Sequence, residues 1–167
     1  SDSIYLIVHG TRGFKRMEII KSLSEGIFHQ GHDVLSINLS YDIDDRGNNF
    51  LSCDIIHTHN EHKSVREIID WYRYIEGKNY KDIIFIGHSR GAFNIIQAQS
   101  LINNKRIQSY LLAPVIDTYK GTKQYYMNEH NLPYDEVINS ADEFIISDKH
   151  PPINFLFCEN ARVSSST

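Results

Sequence analysis

The chain has 167 residues, enough for one domain with a sizeable core, and its 41% apolar and 23% charged content is ordinary for a water-facing globular protein. A formal charge of −4, with the basic residues scattered rather than striped, argues against nucleic acid as a partner. No apolar run approaches the roughly 20 residues that cross a bilayer, so no transmembrane segment is expected.

Ile4–Val8 is a short continuous apolar run, the pattern of a strand buried on both faces. The turn His9-Gly10-Thr11-Arg12-Gly13 follows, then a helical stripe of Ile19, Ile20, Leu23 and Ile27 in a helix beginning near Lys15 and stopped by Gly31. Asp33–Leu39 reads as a second strand, and Ser40–Asn60 as a polar stretch. Val65, Ile68, Ile69, Tyr72 and Ile75 mark a helix over about 63–76. The strand Ile83–Ile86, a helix to about Leu101 and the strand Gln108–Ala113, closed by Pro114, complete the regular part. Strands alternating with helices predict an α/β fold, a mostly parallel sheet with flanking helices, whose sites form outside the carboxyl ends of the strands. The turns after Val8 and after Ile86 both sit at such ends.

The second of these turns is Gly87-His88-Ser89-Arg90-Gly91, placed between a buried strand and the helix-forming Ala-Phe-Asn-Ile-Ile-Gln-Ala-Gln. A serine on a sharp strand-to-helix turn is strained and pushed outward, and glycines two residues to either side let strand and helix pass without a Cβ clash. Ser89 is therefore the candidate nucleophile. A serine hydroxyl needs a base for its proton and donors for the oxyanion it creates. The N–H of Arg90 and the N–H of Thr11 are the candidate oxyanion donors, with Gly13 allowing close backbone approach; His9 is read as shaping that turn rather than as the base.

Cys53, His57, His59 and His62 form a second constellation, dense enough in thiol and imidazole to consider a transition metal. The spacing matches no common zinc module, so solvated or helix-capping histidines, or one that touches substrate over the serine crevice, are the competing readings. Cys53 and Cys158 are too few for a disulfide framework and are read as independent thiols or one isolated bridge.

Val8-His9-Gly10-Thr11-Arg12-Gly13, the strand ending at Leu39 and Ile86-Gly87-His88-Ser89-Arg90-Gly91 together resemble the α/β-hydrolase superfamily, from Ile4 to about Val115. Cys53-Asp-Ile-Ile-His-Thr-His59 and the tail from Phe155 to Thr167 look like an uncharacterised bacterial branch of it. The resemblance implies serine attack on an ester-like carbonyl of a small acyl substrate, an acyl-enzyme, and hydrolysis by water, with no metal or organic cofactor. It leaves the compartment open between bacterial cytoplasm and periplasm. It also implies a triad in the order serine, acid, histidine. After Ser89 only His130 and His150 remain, and neither follows a last strand. Asp117, just past the strand ending at Ala113, is an alternative acid.

Residues 1–118 are accordingly read as the hydrolase core and 119–167 as a helical cap or lid, the domain being incomplete at its C-terminus. Tyr119, Tyr125, Tyr126, Met127, Leu132 and Tyr134 form an aromatic cluster fit for a lid or simply for packing. Ile153–Phe157 is either an acid-bearing strand or part of the cap; the cap reading is preferred because Ser164–Thr167 looks like the start of another helix. Two other functions stay open: a hydrolase-like domain without a working triad, and a metal-binding protein.

Overall fold

The computed structural model describes residues 1–58, 60–104 and 106–115, together with 120–121, 123–124, 127–128, 131, 133–136, 139, 152–155 and 158–163. In chain order the elements are β1 (Ser3–Val8), α1 (Glu18–His29), β2 (Asp33–Ile37), β3 (Ile56–His57), α2 (Glu61–Glu76), β4 (Asp82–His88), α3 (Arg90–Leu101), β5 (Gln108–Leu112), β6 (Pro152–Phe155) and β7 (Cys158–Val163). They belong to two compact units: Ser1–Leu51 with Glu61–Val115, and Ser52–Asn60 with Ile116–Thr167.

The first unit holds a four-stranded sheet in the order β2-β1-β4-β5, parallel throughout. Its central strands carry near-continuous apolar runs because both faces are covered. Leu6, Ile7, Val8 and Phe85 are fully buried, each side chain stabilising the fold by about 1.5–3 kcal/mol relative to exposure. Alternation sends neighbouring residues to opposite faces. Ile7 and Ile86 pack with Ile20, Leu23 and Ile27 of α1 on one face. On the other, Phe85 meets Tyr72 of α2 edge-on at 6.0 Å. Helices on both faces make this the expected α/β architecture.

From β1 the chain first moves outward to β2 and later returns past β1 to β4 and β5. The direction reverses between β1 and β4, where Val8 pairs with Gly87. That is a topological switch point, and the crevice beyond it is where such sheets place a ligand. The two turns singled out in the sequence follow these two adjacent strands.

Several boundaries differ from the sequence reading: α2 starts at Glu61, β4 runs over Asp82–His88 and β5 ends at Leu112. Three further differences have a local reason. Helix α1 starts at Glu18 rather than near Lys15, because the Lys15 N–H is taken by Asn38 Oδ1 at 2.6 Å and Met17 N–H closes a turn on Phe14 O. Strand β2 ends at Ile37 rather than Leu39, because the Leu39 N–H leaves the ladder for His9 Nε2 at 3.1 Å. The polar stretch 40–60 contains β3, two residues too short to show a period.

The second unit requires a larger correction. The segment 119–167 is not helical throughout: residues 120–121, 123–124, 127–128 and 134–136 are helical, but β6 and β7 form an antiparallel pair. Strand β3 joins β7 in parallel, giving a three-stranded sheet in the order β3-β7-β6. Pro152–Phe155 is thus a strand, and it belongs to this sheet rather than to the parallel one. Tyr119, Tyr125, Tyr126, Leu132 and the final 164–167 lie outside the described residues.

Candidate active site

The turn after β1 is wired by its own side chains. His9 is fully buried. Its Nδ1–H donates to Gly10 O at 2.8 Å while Nε2 accepts the Leu39 N–H, which defines one neutral tautomer. Burial, reinforced by the charge of Arg46 and opposed by the bond to Gly10, lowers its pKa to about 4. Gly10 O also accepts the Gly13 N–H at 3.0 Å and the Tyr41 hydroxyl at 3.4 Å. Arg46 Nη2 donates to Gly13 O at 2.7 Å, and Arg12 Nε to Leu51 O at 2.7 Å. Both ring nitrogens of His9 are therefore occupied in holding backbone.

The turn after β4 is held in a sparsely populated conformation. Ser89 has φ 53° and ψ −119°, unusual for a residue with a Cβ, and stands between the end of β4 and the first residue of α3. Three backbone bonds fix it: Ser89 N–H donates to Leu112 O of β5 at 2.9 Å, and Ser89 O accepts from Ala92 N–H at 3.1 Å and Phe93 N–H at 3.4 Å. A Cβ at Gly91 would strike the carbonyl oxygens of His9 and Val8, and one at Gly87 would lie 2.5 Å from Ala92 Cα. The glycines thus let α3 cross directly over the end of β1.

The two turns meet. A Cβ on Gly10 would lie 3.0 Å from Ser89 Cβ and 3.2 Å from His88 Nδ1. Among the described residues nothing accepts the N–H of Thr11 or of Arg90, and nothing bonds the Ser89 hydroxyl. The lack of an acceptor for Arg90 follows from its place as the first residue of α3.

Sequence reasoning missed a polar cluster beside this turn. Arg90 Nη1 donates to Glu61 Oε1 at 2.9 Å, joining the first residue of α3 to the first residue of α2. Asn94, one helical turn along α3, is 1% exposed. Burial raises the Glu61 pKa, opposed by the Arg90 guanidinium and the Asn94 amide. Tyr41 stands in the same field, its pKa raised by burial and by Glu61. Among the described residues, Glu61 Oε2, Arg90 Nε and Asn94 Oδ1 are buried without a hydrogen-bond partner. Glu61 lies just before the helix read from the sequence over about 63–76, and its sequence position carried no signal for this pairing.

Other candidates are less favoured by the geometry. Cys53 is disulfide-bonded, which removes its thiolate from the proposed metal set. His59 lies outside the described residues, His57 is buried and His62 opens α2 behind Glu61. No group of three or more metal-ligating side chains occurs among the described residues. Asp117, His130 and His150 lie outside them, so the acid and the base have no described position. No helix among the described residues is long and apolar enough to cross a membrane.

No family model matches the chain, and no curated protein matches it. Solved structures do. Est1E from Butyrivibrio proteoclasticus superposes with a TM-score of 0.60 at 16% identity, over 96% of this chain and 55% of that one. A protein of the α/β-hydrolase superfamily from Xanthomonas campestris pv. campestris superposes with a TM-score of 0.53 at 14% identity, over 70% and 61%. The chain has the α/β-hydrolase fold, in partial form. It spans less than two thirds of the length of either of these structures.

Proposed function

We propose that the chain belongs to a serine hydrolase that cleaves a carboxylic ester or related acyl bond of a small molecule, with Ser89 as nucleophile. The carrying observation is the left-handed backbone of Ser89 at a switch point of the sheet, against the glycine turn after β1. In this reading Ser89 Oγ attacks the acyl carbon as its proton passes to a base, and the carbonyl oxygen becomes an oxyanion. The N–H groups of Arg90 and Thr11 receive that oxyanion, each donor worth about 10²–10³ in kcat. Collapse expels the alcohol or amine and leaves the acyl-enzyme, which water hydrolyses by the same route. His9 does not act as the base, since both its nitrogens hold backbone. Asp117 is the candidate acid of this reading.

A hydrolase-like domain without a working triad is the competing reading, favoured by the free Ser89 hydroxyl among the described residues. A fluorophosphonate probe separates the two. The full-length natural product carrying this chain is expected to label, and Ser89→Ala to abolish labelling; the 167-residue chain alone is expected to label weakly or not at all. An unlabelled full-length protein, or labelling that survives Ser89→Ala, sinks the serine mechanism.

A further inference from the structure

We propose that Glu61 is a positioning residue that holds the 89–90 peptide in its strained, donor-presenting conformation through the side chain of Arg90. Its catalytic consequence rests on the hydrolase reading above; its structural content does not.

A left-handed serine persists only where its surroundings over-determine it, since the conformation costs about 1–3 kcal/mol. The bond to Leu112 O fixes Ser89 on the strand side, and the bond from Ala92 fixes it on the helix side. Because Ser89 O and the Arg90 N–H belong to one planar peptide, the bonds that Ala92 and Phe93 donate to Ser89 O also orient that N–H, but only from within α3. The Arg90 side chain adds a tie to a different element. Arg90 is only 16% exposed and meets Glu61 Oε1 at 2.9 Å, so the residue is anchored at the tip of α2.

The pair is poorly explained by stability. A cation at the first residue of a helix opposes the macrodipole, so Arg90 is misplaced for α3 itself. Desolvation of a half-buried pair offsets its attraction, more so when atoms stay unsatisfied, as Glu61 Oε2 and Arg90 Nε do among the described residues. Asn94 adds another buried polar group whose oxygen is unsatisfied there. What this costly arrangement provides is a fixed Arg90, joined to a second helix rather than to its own.

The test compares Glu61→Gln and the double variant Glu61→Met with Arg90→Met, which removes both charges and leaves no buried ion behind. Hydrogen exchange is followed at the Ser89 amide and at Leu6 in the sheet centre. If Glu61 positions the turn, Ser89 exchange accelerates about tenfold in the double variant while Leu6 is unchanged. In the full-length protein, kcat on a short-chain ester falls about tenfold with KM within about twofold, Glu61→Gln being intermediate. Unchanged Ser89 exchange, or equal acceleration at Leu6, overturns the proposal. A change in KM alone overturns it too, assigning the pair to substrate contact. Failure of the wild type to label with fluorophosphonate would sink the hydrolase reading and leave the exchange result to decide this one.

Discussion

His9 illustrates how a residue beside the Ser89 turn can be structural. Its ring donates to Gly10 O and accepts from Leu39 N–H, so a proton added to Nε2 breaks the second bond inside a fully buried site. The folded imidazole takes that proton only near pH 4, whereas an unfolded one does so near 6.5. The unfolded chain therefore binds the additional proton between these values, and the contribution present above pH 6.5 is lost as pH falls towards 4. Its full size is about 3 kcal/mol. Urea midpoints taken from pH 7 to pH 4 are expected to fall more steeply for wild type than for His9→Asn. Parallel profiles would assign the acid sensitivity elsewhere.

At the scale of elements, the close crossing of α3 over β1 depends on the absence of one methyl group. Gly91→Ala places a Cβ against the backbone oxygens of Val8 and His9, atoms that cannot swing aside, and a destabilisation of about 2–4 kcal/mol is expected. Gly26, inside α1 with nothing within 4 Å of an added Cβ, is the matched control. Gly26→Ala is expected to stabilise by about 0.5–1 kcal/mol. Thermal melts of the two variants check the pair, and equal effects would contradict the crossing geometry. Helix periods had indicated α1 and α2, and the glycine spacing with the helix-forming residues after it had indicated the turn between β4 and α3. The pairing of Glu61 with Arg90 was not legible, because residues 29 positions apart carry no shared period.

For the whole molecule, two units of different sheet type share one chain, and the short strand β3 contributes to the second from the middle of the first. Cys53 lies in the segment that carries β3 and is disulfide-bonded, so the open choice between thiols and a bridge resolves towards a bridge. Thiol titration of the denatured, unreduced protein is expected to find no free thiol, and two after reduction. Reduction is expected to cost about 2–4 kcal/mol of stability. A thiol found before reduction would return Cys53 to the list of metal ligands.

The sequence by itself determined the parallel sheet and the Ser89 turn, because both follow from local facts. A strand buried on both faces is a continuous apolar run, and a helix packed on it repeats every three or four residues. A sharp turn leaves glycines at fixed spacing. Tertiary structure alone decided that the turns after β1 and β4 meet, since strand order is a choice among distant partners. It also decided that His9 is spent on backbone, that Arg90 is tied to Glu61, and that Ile56–His57 pairs with a strand about a hundred residues later. Those outcomes depend on burial and on contacts across the fold, and no local pattern encodes them.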